Sequence, residues 1–237
     1  MGLVRRGIPL EKRIIFALDV PSEREAREWV LRLKPFIRFY KVGLELFLAS
    51  GFGIVDWILQ QDCEVMLDLK LFDIPNTVRG AIERIRERGV TYTTVHGNDG
   101  ILEAAVKAKG NLKVLAVTVL TSLDEGDLRD LGFQCNVQEL VLSRARRALQ
   151  LGCDGVVTSG EELKVLRERL GQGLIAVVPG VRPVSNRPVD DQKRVITPRE
   201  AFLLGADHIV VGRPIRTSPN PEETARQMLD EAAEVLL

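Results

Sequence analysis

The chain has 237 residues, with 33 Lys and Arg against 33 Asp and Glu, and 45% of its residues are hydrophobic. This length fits one or two domains, and the hydrophobic fraction is that of a globular protein. The balanced charge provides no broad basic surface, so nucleic-acid binding is not expected. No apolar run approaches the roughly 20 residues that span a bilayer, and the first residues lack the apolar core of a signal peptide. The sequence predicts a cytoplasmic protein without a membrane partner.

The cysteines give no sign of a structural cross-link or a metal site. Cys63, Cys135 and Cys153 are widely spaced and form no C-x-x-C pair. An odd number of cysteines argues against a disulfide framework, and none of the common metal-ligand spacings is present. We expect small core or surface residues at these positions.

Short β-rich apolar runs alternate with amphipathic stretches along the chain, which predicts alternating strands and helices. Eight strands are predicted, at 13–20, 37–43, 64–70, 90–96, 112–119, 154–159, 174–179 and 207–212. Eight helices are predicted, at 22–34, 45–60, 75–88, 100–109, 137–151, 161–170, 198–204 and 221–236. Ser22 and Glu25 have the spacing of a helix-capping box.

This alternation predicts parallel strands joined by right-handed crossovers. Eight such units in one chain of this length are typical of a (β/α)8 TIM barrel, here a single domain spanning residues 1–237. A doubly wound open sheet is the alternative, but no G-x-G-x-x-G motif follows the first strand. The connections at 121–136 and 180–197 are long, and long loops after barrel strands commonly carry function.

Charged residues stand at the carboxyl ends of the first three predicted strands, where barrel enzymes place their active sites. Asp19 lies at the end of the first strand, Lys41 near the end of the second, and Asp68 and Lys70 at the end of the third. Asp73 comes next in the loop. Two of the chain's nine lysines thus lie in apolar runs, where an unpaired charge is costly.

The spacing of Asp68 and Lys70 predicts that their side chains project together, because residues i and i+2 of a strand face the same side. Lys41 on the neighbouring strand can reach the same space. The resulting network of alternating charges has two interpretations, a buried ion-pair cluster that fixes the barrel or a catalytic array. In the second, a lysine held between carboxylates stays charged, which suits a proton donor to a carbanion better than a Schiff-base nucleophile.

The last two predicted strands end in patterns that suit a phosphate group. The seventh runs into Gly180 and Arg182, and the eighth into Gly212 and Arg213. Glycines allow backbone N–H groups to approach a phosphate, and guanidinium groups pair with it. Plain turn glycines are the alternative interpretation. The two histidines, His96 at the end of the fourth strand and His208 at the start of the eighth, are predicted to be structural.

The segment DLKLFDIPNT at 68–77 resembles the signature of the orotidine 5′-phosphate decarboxylase family. The D-x-K-x-x-D core occurs across a wider group of barrels, whereas the I-P-N-T extension is specific to the decarboxylase. The resemblance covers nearly the whole chain, through ALDV at Asp19, KVGLEL at Lys41, VLTS at Thr121, PGVRP at Arg182 and VVGRPI at Arg213. It is closest to the compact, monofunctional bacterial type.

The resemblance implies decarboxylation of orotidine 5′-monophosphate to UMP, without metal or organic cofactor, in a homodimer with shared active sites. Lys70 would protonate C6 of the pyrimidine and Asp68 would lie against the substrate carboxylate. Asp73 and Thr77 would enter from the partner subunit, and Ile74 would line the pocket. Asp19 and Lys41 would bind the ribose, with Lys41 also holding the aspartates in place, and Thr121 would contact the pyrimidine. The phosphate would be bound by Arg182, Gln192, Gly212 and Arg213.

Two other functions remain open at this point. A sugar-phosphate decarboxylase or aldolase of the same barrel group would need Mg²⁺, and Glu45 after the second strand is a candidate ligand unless it belongs to the following helix. A non-catalytic barrel that only binds a phosphorylated ligand belongs to a different class. Sensitivity to a chelator would identify the first, and binding without turnover the second.

Overall fold

Eight parallel strands form a closed barrel in the computed structural model, which describes residues 7–183 and 196–236. Each strand pairs with the next, and the eighth pairs with the first, which confirms the predicted barrel. The strands are β1 Ile14–Ala17, β2 Phe39–Gly43, β3 Glu64–Leu71, β4 Tyr92–Val95, β5 Lys113–Val117, β6 Gly155–Val157, β7 Ile175–Val178 and β8 His208–Val211.

Helices cover the outside of the barrel. They are α1 Glu23–Leu33, α2 Leu44–Ser50, α3 Phe52–Gln60, α4 Pro75–Arg86, α5 Asp99–Ala108, α6 Glu125–Asp130, α7 Val137–Leu151, α8 Gly160–Leu170, α9 Pro198–Leu203, α10 Arg213–Arg216 and α11 Pro221–Leu236, with a short 3₁₀ helix at Leu10–Lys12. Within the described ranges, none of these helices is long and apolar enough to cross a membrane.

The prediction of one continuous helix at 45–60 was wrong. The chain forms α2 and α3 instead, separated at Gly51, whose φ of 56° and ψ of −143° lie outside the helical region. An apolar pattern continues across this break, so periodicity alone did not reveal it. The 3₁₀ helix, α6 within the long 121–136 connection and α10 directly after β8 were also not predicted.

The core has two layers, one inside the barrel and one between the strands and the helices. Alternation along β1 separates them, because Ile15 points into the barrel while Ile14 and Phe16 pack against the helices. The inner layer consists of Ile15, Phe39, Met66, Tyr92, Leu115, Ile175 and Val177. This inner layer fills the barrel below its carboxyl end, so the barrel is closed to solvent beneath the ends of the strands.

A polar group lies inside the amino-terminal half of the barrel. The Nε2 atom of His208 is 2.9 Å from the Tyr92 hydroxyl, and its Nδ1 atom is 2.8 Å from the carbonyl oxygen of Lys12. His208 is 1% exposed, and burial lowers its pKa to about 4. The prediction that His208 is structural is confirmed by these contacts.

Candidate active site

A cavity of about 410 Å³ opens at the carboxyl ends of the strands, where enzymes of this fold bind their substrates. It contains charged side chains on one side and the loops after β5, β7 and β8 on the other. Its lining consists of Ala17, Asp19, Lys41, Met66, Asp68, Lys70, Val117, Val119, Leu120, Thr121, Val157, Thr158, Pro179, Gly180, Val181, Arg182, Val210, Gly212, Arg213, Pro214 and Arg216.

Four charged side chains of alternating sign form an array along one wall of this cavity. The Nζ atom of Lys41 lies 2.8 Å from Asp19 Oδ1 and 3.7 Å from Asp68 Oδ2. The Nζ atom of Lys70 lies 2.9 Å from both oxygens of Asp68. The spacing argument is confirmed, since Asp68 and Lys70 project together into the barrel mouth and Lys41 reaches the same space.

The charges of this array stabilise one another. Burial disfavours the charged form of Asp68, but the ammonium groups of Lys41 and Lys70 outweigh it, so the pKa of this carboxyl is below its ordinary value. Burial also opposes the charge on Lys41, but Asp68 and Asp19 raise the pKa of this lysine above its ordinary value. Asp68 is therefore a carboxylate and Lys41 an ammonium ion at neutral pH.

Gly43 at the end of β2 allows this close pairing. A Cβ atom at this position would lie 3.1 Å from Lys41 Nζ and 3.3 Å from Asp19 Oδ1. Both distances are shorter than ordinary van der Waals contacts of a methyl group. The missing side chain therefore leaves room for the Lys41–Asp19 pair beside the cavity.

The opposite wall of the cavity is formed by arginines and by the backbone of the loops after β7 and β8. Arg182 follows β7 and is 5% exposed, and its backbone N–H donates to the carbonyl oxygen of Ile196 over 3.0 Å. Gly212 and Arg213 follow β8, and Arg213 begins α10. Thr121 comes from the connection after β5. The cavity thus has an array of paired charges at one side and three arginines, Arg182, Arg213 and Arg216, at the other.

The structure brings most, but not all, of the predicted site residues together. Eight line the cavity: Asp19, Lys41, Asp68, Lys70, Thr121, Arg182, Gly212 and Arg213. Three others, Asp73, Ile74 and Thr77, are exposed at the surface and are absent from the cavity lining. Gln192 lies outside the described residues.

Comparisons with known proteins show which family this chain belongs to. Residues 12–228 match the model of the family described as "Orotidine 5'-phosphate decarboxylase / HUMPS family". The chain belongs to this family. A protein of Methylococcus capsulatus named orotidine 5′-phosphate decarboxylase is 58% identical to it, over 95% of this chain and 93% of the relative.

Solved structures of the orotidine 5′-phosphate decarboxylase family share the fold over nearly the whole chain. The enzyme of that name from Lactobacillus acidophilus superposes with a TM-score of 0.82 at 34% identity, covering 93% of this chain and 99% of the other. The one from Pyrococcus horikoshii OT3 superposes with a TM-score of 0.75 at 28% identity, with the same coverages.

Sequence reasoning missed three polar residues of the site: Thr158 and Arg216, which line the cavity, and Thr94, which lies behind Asp68. Thr94 on β4 is fully buried, and its hydroxyl donates to Asp68 Oδ1 over 2.8 Å. A signal was available, because Tyr92 points into the barrel and Thr94, two residues later, faces the same way. Glu45, the candidate magnesium ligand, lies exposed on α2 and does not line the cavity, so it belongs to the helix.

Proposed function

We propose that this chain decarboxylates orotidine 5′-monophosphate to UMP, the last step of de novo pyrimidine nucleotide synthesis. The observation that carries the proposal is the contact of the Lys70 ammonium with Asp68 at the wall of a cavity that also contains Arg182 and Arg213. It is supported by membership of a family whose full-length relatives bear this name. We also propose a cytoplasmic location, because a charged phosphate ester stays in the compartment in which it is made.

The substrate has three polar parts, and the cavity offers a complementary group for each. The phosphate is assigned to Arg213 and the backbone at Gly212, with Arg182 nearby, because guanidinium groups and glycine backbone N–H groups bind phosphate well. Gln192 is assigned to the same group by resemblance. Thr121 is assigned to the pyrimidine edge.

The ribose and the reacting carboxylate are assigned to the charged array. Asp19, whose side chain is 53% exposed, and Lys41 are assigned to the ribose hydroxyls by resemblance, and both line the cavity. Asp68 then lies against the substrate carboxylate, and the repulsion between the two negative charges destabilises the bound substrate in the ground state. Binding of the distant phosphate supplies the free energy that holds the substrate carboxylate beside Asp68.

The chemical step requires one proton and no redox change. The bond between C6 and the carboxylate carbon breaks, CO₂ leaves, and the electron pair remains on C6. The Lys70 ammonium stabilises this carbanion and transfers its proton to C6, which forms UMP and a neutral lysine. Water then restores the proton on Lys70, so the step is balanced without a further reactant.

We further propose that the reaction uses neither metal nor organic cofactor. This is supported by the position of Lys41, whose ammonium group lies between Asp19 and Asp68, at 2.8 and 3.7 Å. A divalent cation on these two carboxylates would have to displace that ammonium ion. The lysine therefore supplies the positive charge that a metal would otherwise provide.

The test is an absorbance assay with purified protein and orotidine 5′-monophosphate, with and without EDTA. Loss of the orotate absorbance and formation of UMP at the same rate in both samples is expected. Conversion that EDTA stops would indicate a metal-dependent relative, and sugar phosphates would then be the substrates to assay. Tight UMP binding without any turnover would instead indicate the non-catalytic ligand-binding barrel.

We also propose a homodimer in which each active site is completed by the partner. This is supported by the exposure of Asp73, Ile74 and Thr77, whose family motif assigns them to the site although they lie outside this chain's own cavity. Phe72 and Ile74 are 70% and 66% exposed and lie two residues apart on the same loop, where they offer an apolar surface to a partner.

Mixed dimers test the shared site. Asp73→Ala and Lys70→Ala subunits, co-expressed with different affinity tags, form heterodimers in which one of the two sites has both wild-type residues. Since random pairing makes half of the dimers mixed, we expect about one quarter of the wild-type activity in the mixture and about half in the purified heterodimer. Heterodimers no more active than the two parents would contradict the shared site, whatever their substrate.

A further inference from the structure

Thr94 is the described residue through which β4 contacts both Asp68 and Lys70 at once. Its hydroxyl donates to Asp68 Oδ1 over 2.8 Å and accepts the backbone N–H of Lys70 over 2.9 Å. Thr94 is 0% exposed and is absent from the cavity lining. It therefore lies below the charged array and contacts the substrate only through other residues.

The backbone of β3 is irregular at this point. Leu67 pairs with Thr93, and the next paired residues are Leu71 and Val95, so β3 uses two more residues than β4 between these pairs. Lys70 lies within this bulge and has a φ of 48°, a left-handed backbone conformation that residues other than glycine rarely adopt. Such a conformation persists only where its surroundings hold it in place.

The hydroxyl of Thr94 provides that hold. Because the regular ladder is interrupted, the Lys70 N–H bonds to this side chain instead of to a carbonyl oxygen of β4. The same oxygen directs its own proton to Asp68. One hydroxyl thus fixes both the backbone that carries the lysine and the carboxylate that the lysine contacts.

We propose that Thr94 is a positioning residue for the decarboxylation, holding the β3 bulge so that Lys70 and Asp68 keep their catalytic arrangement. This inference rests on the proposed function for its kinetic consequence. The hydroxyl is needed both as donor and as acceptor, so serine can replace threonine here and valine cannot, although valine has nearly the same shape.

The neighbouring Thr93 is a matched control. It is also 0% exposed and its hydroxyl also bonds to β3, but the acceptor is the backbone carbonyl oxygen of Leu67, at 3.0 Å. Valine at either position removes one buried hydroxyl from the same strand. A purely structural role would therefore give Thr93→Val and Thr94→Val similar effects.

The kinetic test compares Thr94→Val, Thr94→Ser and Thr93→Val in the dimeric enzyme. For Thr94→Val we expect kcat to fall by about 10- to 100-fold, as for a lost hydrogen bond to a charged group, with KM within about threefold of wild type. Thr94→Ser and Thr93→Val should stay within about threefold of the wild-type kcat. Urea midpoints report the structural cost of each change.

A second measurement does not depend on activity. Amide hydrogen exchange at Lys70, followed by NMR or mass spectrometry, should be faster in Thr94→Val than in wild type and unchanged in Thr93→Val, because only the first change removes the acceptor of that N–H. If Thr94→Val does not fold, Thr94→Ala is measured in the same way. A wild-type enzyme that does not convert orotidine 5′-monophosphate would refute the proposed function. The exchange comparison would still show whether the Thr94 hydroxyl fixes the backbone of Lys70.

Two results would overturn the inference. One is equal kcat losses in Thr93→Val and Thr94→Val, which would make the effect structural. The other is unchanged exchange at Lys70 in Thr94→Val, which would show that the bulge keeps its shape without this hydroxyl.

Discussion

The two ends of the barrel both bury charged side chains, but they do so with different partners. At the carboxyl end, Asp68 accepts hydrogen bonds from Thr94 and Lys70, and Lys41 bonds to Asp19. All of these partners are side chains, and the array faces an open cavity. Its charges are therefore partly available to a ligand.

At the amino-terminal end, the charges are enclosed by backbone. Arg167 donates to Asp207 Oδ2 over 2.9 Å and to three carbonyl oxygens, those of Gly171, Leu174 and Gly205, at 2.8 to 3.1 Å. The same Asp207 oxygen accepts the N–H of Ala176 over 2.9 Å. The side chains of Arg167 and Asp207 are 3% and 0% exposed.

The comparison shows that burial of charge does not by itself identify an active site. Both groups are expensive to desolvate, and both are held by hydrogen bonds. What distinguishes the catalytic candidate is that its charged side chains pair with one another beside a cavity, whereas Arg167 already uses its donors on the protein. We expect changes at the carboxyl end to affect the reaction and changes at the other end to affect folding.

The largest expected effect is that of Lys70→Ala. Removal of the proposed proton donor should lower kcat by about 10⁴-fold, the upper range for general acid–base catalysis, because no other described ammonium group contacts Asp68 within 3 Å. UMP binding should remain measurable by calorimetry. Lys107→Ala, at an exposed position of α5, is the control and should be fully active. Near wild-type turnover in Lys70→Ala would remove Lys70 from the mechanism.

Arg167→Met should have the largest effect on stability. It removes the arginine that contacts the buried Asp207 carboxylate over 2.9 Å, and breaking a buried ion pair typically costs about 3–5 kcal/mol of unfolding free energy. Urea unfolding at pH 7 measures this loss, and Arg169→Met, an exposed position two residues along α8, is the control. The kcat of the folded fraction should be unchanged. A loss below about 1 kcal/mol would mean that the network adds little to folding.

The sequence predicted the carboxyl end far better than the amino-terminal end, and the reason is physical. Asp19, Lys41, Asp68 and Lys70 interrupt apolar strands, and the two-residue alternation of a strand is enough to group them. Arg167 lies on a helix among other charged residues, where nothing in the sequence distinguishes a buried arginine from an exposed one. Its role depends on long-range packing against β7 and β8.

Thr94 and the break at Gly51 show where sequence reasoning ended even at the better-predicted end. Alternation from Tyr92 places Thr94 on the inner face of β4, but its contacts with Asp68 and Lys70 depend on the register between β3 and β4. A bulge that shifts this register by two residues has no signature in either strand alone. Gly51 divides a continuous apolar pattern, and glycine occurs inside helices as well as between them. Both features required the three-dimensional pairing of elements.

The pH dependence of stability gives a third prediction, again at the amino-terminal end. The pKa of His208 is lowered from 6.5 to about 4 by burial, so the unfolded state binds more protons between these values. Stability should therefore fall as the pH decreases from about 6.5 to about 4, by up to about 3 kcal/mol from this group.

Urea unfolding of wild type and His208→Gln at pH 7 and pH 4.5 isolates this contribution, since all other titratable groups are shared. We expect the variant to be less stable at pH 7 but to lose less free energy on acidification. Parallel losses in the two proteins would show that the imidazole of His208 titrates normally in the folded state.

The smallest of these effects is expected for Arg213→Ala, and it contrasts directly with Arg167→Met. Arg213 lines the cavity and is assigned to the substrate phosphate, so its loss should reduce kcat/KM by about 10- to 100-fold without lowering the urea midpoint. The nucleoside orotidine, which has no phosphate, should react equally slowly with wild type and variant. If Arg213→Ala lowered kcat/KM for orotidine 5′-monophosphate and for orotidine by the same factor, this guanidinium would stabilise the barrel as Arg167 does. The two ends would then differ less than their contacts imply.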